Sequence, residues 1–414
     1  MPIPFKLANF KLAIAGAGLC ALLAGCNEKR ATPPLPSASN AAPLLSIAIQ
    51  RNGHWITGVQ TSGDKSHRML LDTGASFNML PAEGALAAAP LTQEAQAALL
   101  KQGTLKGPGD DGAPSVITPG EPRQIKLGLN PALRIQGWSM PSDTLALQGK
   151  LGALAAAEDA SFDGIIGIDS MRDLTWRADY VTGTLTAYAG EAPEHEWQQC
   201  TFMTLDTRTR TPLIELSLGD EHRFFILDTG YDADLLVSQE VFEHYVKAKR
   251  FPKIGASFSA GVTDRLAARP EGLLSGLTIG QKRLPTLAVS GGSPDQRLGM
   301  GLLEKMDRFE LDFRRFRFCF DLPAVPENSA LAQENSILER RGERYEVLAL
   351  LPDGRLAQSG VKAGDQIEMV DQISVKTLNL AQLGELLSNP ATGELTVLRG
   401  KSPWIVPLKK LAPA

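Results

Sequence analysis

Hydrophobic residues in this chain fall mostly in short runs that alternate with polar positions, and they seldom recur at helical spacing. In LLSIAIQRNGHWITGVQTSGDKSHRMLLDTG (44–74) the alternation predicts three strands, with turns at 51–53 and 62–65. LTQEAQAALLKQG (91–103) has helical character and ends on Gly103. GPGDDGAP (107–114) reads as a loop tip between strand-like stretches. FDGIIGIDSMRDLTWRADYVTGTLTAY (162–188) supplies an apolar pair flanked by glycines, a short helix, and a hairpin turning at 182–183.

The same order returns over 197–322. CTFMTL and PLIELSLGDEHRFFILDTG read as strands with a turn at 219–221, and SQEVFEHYVKAKRF (238–251) as a helix with Ser238 at its N-cap. GASFSAGVTDRLA is extended, GLTIGQKRLPTLAV is a hairpin, and RLGMGLLEKMDRFELDFRRFRFCFDL closes the unit. Aligning the copies places Asp72 with Asp228, Gly167 with Gly301, and Asp179 with Asp312. A period of roughly 130–155 residues is too long for a solenoid, so the pattern implies a duplicated lobe.

A Pro-rich stretch, PAVPENSALAQENS (323–336), separates this pair from a third unit that alternates β-like runs with two short helices. At the other end, NEKRATPPLPSASNAAP (27–43) reads as a tether. Before it, two lysines, an apolar stretch at 12–23 and LAGC (23–26) fit a signal segment too short to span a membrane comfortably. LAGC resembles a bacterial lipobox, which implies that Cys26 carries lipid and anchors the protein to a membrane. Asn27 after it, by resemblance to lipoprotein sorting patterns, points to the outer membrane facing the periplasm.

The composition supports a β protein: 39 Gly and 27 Pro punctuate a chain that is 43% apolar and 21% charged. A net charge of −4 without a long basic run argues against nucleic acid as a partner. With Cys20 in the signal and Cys26 acylated, Cys200 and Cys319 remain, at the two ends of the second repeat. In an export compartment they are a candidate disulfide; two separate buried thiols are the alternative. The five histidines are scattered without metal-ligand spacing, and neither a GxSxG elbow nor a phosphate-binding loop occurs.

The candidate chemistry lies in LLDTGASFNML (70–80) and FILDTGYDADLL (225–236). One Asp-Thr-Gly is often only a turn. Two copies, each behind an apolar run, with Leu80 and Leu236 eight residues after each Asp, suggest paired carboxylates. Forced together, such a pair holds one proton between them. The ionised member then takes a proton from water while the protonated member donates to the developing oxyanion.

This flanking pattern resembles the aspartic proteases, specifically retropepsin-like units of bacterial proteins, over about 45–190 and 197–322. The resemblance implies that Asp72 and Asp228 face each other across a pseudo-twofold axis. It makes Thr73 and Thr229 braces of the two loops and lets Gly74 and Gly230 approach closely. IIG (165–167) and GMG (299–301) would support the loops; 107–114 and 257–265 are candidate lids, with ordinary hairpin tips as the alternative for each. The second copy departs from the pattern at Tyr231, Asp232 and Asp234, expected to narrow a subsite and raise carboxyl pKa values. SGVKAGDQIEMVDQISV (359–375) resembles PDZ domains of exported bacterial proteases. These bind extended peptides at a sheet edge and capture the C-terminal carboxylate. The carboxylate loop is expected before YEVLAL, where Arg340, Arg341 and Arg344 stand; a solvated turn is their plainer role.

The expected fold is therefore mainly β: two tandem retropepsin-like barrel lobes in a pepsin-like arrangement, then a small α/β PDZ-like domain. The segments are 1–25 signal, 26–43 lipidated Cys and linker, 44–190 and 197–322 lobes, 323–336 linker, and 337–411 PDZ-like domain. The expected activity is a membrane-anchored aspartic endopeptidase acting on polypeptides, needing no cofactor or metal, with a monomeric catalytic unit. Two alternatives keep the fold: an inactive peptide-binding or assembly factor of the envelope, or activity of the first lobe alone through self-association.

Overall fold

The computed structural model describes most of residues 42–409. Outside the described residues lie 1–41, 410–414 and internal stretches, the longest being 98–104, 109–113, 117–125, 150–161, 261–265 and 330–335. The signal segment with Cys26, most of the helix expected over 91–103, and the tips of both candidate lids fall there. The protein is mainly β, with 45% strand and 12% helix, arranged in several sheets.

Alternating patterns become strands where expected. Ile56–Gln60 and Ser66–Leu71 form the first hairpin, and Pro212–Leu218 and Glu221–Leu227 the matching one. Each second strand runs directly into an Asp-Thr-Gly. The helix Gln239–Lys247 starts under Ser238, whose hydroxyl accepts from the Val241 N–H at 3.2 Å. Strands Leu105–Pro108 and Pro114–Val116 pair beside the first candidate lid tip, and Ile254–Ala260 pairs with Leu266–Leu274 beside the second.

The two repeats meet in one continuous sheet. Six strands from one end of it run Leu45–Ala48, Thr184–Tyr188, Thr175–Asp179, Arg308–Asp312, Arg317–Asp321 and Gln199–Leu205, three from each repeat. At the seam Thr175–Asp179 pairs antiparallel with Arg308–Asp312, with Arg177 opposite Glu310. The Arg177 guanidinium donates to Glu310 at 3.0 and 2.5 Å. Trp176, Phe309, Leu311 and Phe318 are buried, and Trp55 of the first repeat stacks on Phe309 of the second at 5.6 Å. One hydrophobic cluster therefore runs through both repeats.

Asp179 and Asp312 are matched as expected. Each accepts the backbone N–H three residues on, from Thr182 at 2.9 Å and Arg315 at 3.0 Å. Each hairpin also turns through positive φ one position later, at Gly183 (69°) and Phe316 (52°). The match of Gly167 with Gly301 is corrected. Leu71 pairs with Ile166, and Leu227 with Leu298, so the partner of Gly167 is Gly299. Both glycines precede a short helix, Ile168–Met171 and Met300–Leu303. The sequence offered two glycines around Met300, and only ladder register separates them. The supporting stretch of the second repeat is thus RLG (297–299), which puts Arg297 where the first repeat has Ile165.

Cys200 and Cys319 form a disulfide between directly opposed residues of neighbouring strands. The second linker is pinned near its middle: the Thr286 N–H donates to Asn328 and the Ser329 N–H donates to Thr286 O, both at 2.8 Å.

The C-terminal segment has its own sheet, ordered Ser336–Arg341, Arg344–Leu350, Gln366–Val370, Glu394–Arg399 and Ser402–Pro407. Its own cluster includes Tyr345, Val347, Ile367 and Leu383. The helix Leu380–Ser388 begins with a capping box of Asn379 and Gln382. Among the described residues this sheet ends on Ser336–Arg341 at one side and Ser402–Pro407 at the other, and Arg344–Leu350, which carries YEVLAL, is paired on both sides. The three arginines before YEVLAL are occupied: Arg340 by the carbonyls of Leu378 and Lys376, Arg341 by Glu339 and Glu346, and Arg344 by Glu368. These contacts tie the turn to its neighbours, with the Arg341 and Arg344 side chains still 55% and 43% exposed.

The buried pair at the seam makes a testable claim. Arg177→Met leaves Glu310, 2% exposed, with Arg317 at 3.4 Å as its remaining ion-pair partner. Breaking a buried pair costs about 3–5 kcal/mol. Urea unfolding should show that loss, and Arg177→Met combined with Glu310→Leu should recover much of it.

Candidate active site

The two Asp-Thr-Gly loops are held by their own strands before they touch each other. The Asp72 N–H donates to Ile166 O and the Asp228 N–H to Leu298 O, both at 2.9 Å, so each loop begins as an extension of a parallel ladder. Just past each loop a short helix hangs from it: the Ile168 N–H donates to Ala75 O at 2.8 Å and the Met300 N–H to Tyr231 O at 2.6 Å.

Thr73 and Thr229, both fully buried, then lock the loops together reciprocally. The Thr73 N–H donates to the Thr229 hydroxyl at 3.0 Å, and the Thr229 N–H donates to the Thr73 hydroxyl at 3.1 Å. Each hydroxyl donates in turn across the interface, Thr73 to Leu227 O at 2.6 Å and Thr229 to Leu71 O at 2.7 Å. Four buried hydrogen bonds between the loops leave little freedom for either.

The glycines complete the approach. A Cβ on Gly74 would sit 2.3 Å from the Asp228 carboxyl carbon, and one on Gly230 would sit 2.4 Å from that of Asp72. Each loop therefore packs its glycine on the other loop's acid, and any side chain there would force the carboxyls apart. Asp72 and Asp228 are 8% and 2% exposed and hydrogen-bonded to each other. Asp72 Oδ1 also accepts from the N–H groups of Gly74 at 2.7 Å and Ala75 at 3.1 Å, and Asp228 Oδ1 from that of Gly230 at 2.9 Å.

Burial first, then the charge of Asp228 and the hydrogen bond to it, push Asp72 up to about 8. Arg297 and the Gly74 N–H pull the other way without reversing the shift. The pair titrates as a unit, with the neutral form favoured at Asp72.

The residue that sequence reasoning missed is Arg297. It lies in the strand Arg297–Leu298 beside the second loop, and its guanidinium donates to Asp228 Oδ2. Asp295 lies 3.6 Å from its other nitrogen. Choosing GMG as the supporting stretch passed over it; RLG, aligned on IIG, would have found it.

Asp234 and Tyr231, two of the other departures, have partners of their own. The Asp234 carboxylate accepts from the Ala288 N–H at 2.8 Å and pairs with Lys305 at 3.1 Å, with the Ser329 hydroxyl as a further donor. It braces the second repeat where Asn78 braces the first, through Gly167 at 2.8 Å and Ser170 at 3.1 Å. Tyr231 is hydrogen-bonded to Ser290, and burial holds its hydroxyl above the usual tyrosine range. Asp232 is exposed. Among the described residues no group of three His, Cys, Asp or Glu is placed to hold a metal ion. No protein-family model and no curated protein sequence matches this chain.

Two measurements test this geometry. Thr73→Val keeps the shape but strands Leu227 O and the Thr229 N–H, and should cost about 2–4 kcal/mol in denaturant unfolding, with Thr73→Ser close to wild type. Because the folded state raises the Asp72 pKa, that group favours folding fully below about pH 4 and loses its contribution as pH rises through 8. Asp72→Asn does not titrate, so its Tm relative to wild type should climb steadily between those limits.

Proposed function

We propose that this protein is an aspartic endopeptidase in which Asp72 and Asp228 activate one water against a peptide carbonyl. The observation that carries this reading is the reciprocal threonine clasp. It brings two carboxyls from separate repeats into hydrogen-bond contact, at a site where burial keeps one proton on the pair. In the reaction the ionised member takes the proton of the water as it attacks, and the protonated member donates to the carbonyl oxygen as charge develops. The hairpins Leu105–Pro108/Pro114–Val116 and Ile254–Ala260/Leu266–Leu274 would serve as lids that close over an extended polypeptide and exclude water. Both loops come from one chain, so one copy supplies the whole site.

The C-terminal segment would act as a PDZ-like docking module. A bound peptide would add along a terminal strand of its sheet, Ser336–Arg341 or Ser402–Pro407. Lipid on Cys26 would place the enzyme in the bacterial envelope, facing the periplasm from the outer membrane. The Cys200–Cys319 disulfide fits an oxidising compartment, and among the described residues no helix is long and apolar enough to cross a membrane.

One observation favours a second reading, a binding or assembly factor without catalysis. The Arg297 guanidinium occupies an oxygen of Asp228 that a water-activating base would use. Cleavage of an unfolded protein by residues 27–414 separates the two. Asp72→Asn and Asp228→Asn should each lower the rate by about 10²–10⁴-fold, the range for positioned acid–base groups. Wild-type activity should fall above about pH 8 as Asp72 loses its proton. No cleavage by any form, with extended peptides still bound, would support the binding reading instead.

A further inference from the structure

The backbone around the two carboxyls is nearly symmetric, but their surroundings are not. In the ladder beside the first loop Ile165 stands opposite Leu70; in the ladder beside the second, Arg297 stands opposite Ile226. Ile165 is 1% exposed and apolar. Arg297, with 27% of its side chain exposed, reaches from the same position to Asp228 Oδ2. Both oxygens of Asp228 therefore accept from donors, Oδ1 from the Gly230 N–H and Oδ2 from the guanidinium. Asp72 Oδ1 accepts from two N–H groups, so a proton on Asp72 is carried by Oδ2. The other charged groups nearby are Asp295 on the far side of Arg297 and, around Tyr231, Asp232, Arg269 and Glu271.

We infer that Arg297 is a positioning residue that breaks the symmetry of the pair, fixing Asp228 as the carboxylate and confining the shared proton to Asp72. A symmetric pair is free to place its proton on either member. Only one arrangement puts the anion on the carboxyl that the guanidinium bonds directly, since protonating Asp228 would leave Arg297 with Asp295 at 3.6 Å and move the charge to Asp72. If the endopeptidase reading holds, the roles follow: each carboxylate oxygen has two lone pairs, so Asp228 takes the proton from water while bonded to Arg297, and Asp72 donates to the carbonyl oxygen. The placement of the proton stands independently of that reading.

Carboxyl ¹³C signals of the two residues, followed by NMR from about pH 3 to 9, test this directly. In wild type the first titration step should move mainly the Asp228 signal and the last mainly that of Asp72. In Arg297→Ile, which installs the residue of the first repeat, each step should move both signals. Arg297→Lys should restore the wild-type pattern, and Arg297→Gln should behave like the Ile variant, which covers a failure of the latter to fold. Signals that move together in wild type, or a titration unchanged in Arg297→Ile and Arg297→Gln, would overturn the inference. The expected titration in a protein that cleaves nothing would uphold the proton placement while removing the endopeptidase reading.

Discussion

The site depends on the reciprocal bonding of Thr73 and Thr229. Two carboxyls pressed together in a buried place repel one another and pay a desolvation cost, so nothing about them alone would hold the loops in contact. The threonines supply that hold from beneath. Each offers a hydroxyl that accepts from the opposite N–H and donates to the opposite strand, so separating the loops would break four hydrogen bonds at once. The shared sheet does the same work on a larger scale. Arg177 and Glu310 lie opposite each other at the seam, and Trp55 and Phe309 pack one repeat on the other. The close approach of the acids is a consequence of these constraints.

The duplication is preserved in the backbone and relaxed in the side chains. Ladders, short helices and turn geometry correspond from one repeat to the other, yet Asn78 becomes Asp234, Ala75 becomes Tyr231 and Ile165 becomes Arg297. Such exchange is tolerated because the ladders fix the path of the chain through main-chain bonds, which do not depend on residue type. A new polar side chain then needs only a local partner. Asp234 found Lys305 and a backbone N–H, and Arg297 found Asp228.

Much of this was legible in the sequence. Period-two alternation marked the strands around both loops, and Ser238 marked a helix start, because those signals are local. The pairing of Asp72 with Asp228 was legible through repetition, and Cys200 with Cys319 through their places at the ends of one repeat. What escaped was register. A ladder that aligns Leu227 with Leu298 cannot be told by eye from one shifted by two residues, since GMG offers a second glycine in the right place. That slip hid Arg297. The inner place of YEVLAL in the C-terminal sheet was not legible either, because strand order is a property of pairing and this stretch is equally strand-like wherever it lies.

Charge balance links the arrangement of the site to that of the rest of the fold. An ionised carboxylate with little exposure is sustained when a cation or several donors stand beside it. Glu310 has Arg177, Asp234 has Lys305, and Asp365 has the two-pronged bond from Arg399 at 2.8 and 2.7 Å. Asp228 follows this rule through Arg297. At Asp72 the position held by Arg297 in the second repeat is taken by Ile165, and Arg297 itself is bonded to the other acid. Two N–H groups on one oxygen do not offset burial and the neighbouring anion, so the neutral form prevails there well into the neutral pH range. One cation serving two acids thus leaves one proton at the centre, and its location follows from which strand carries the arginine.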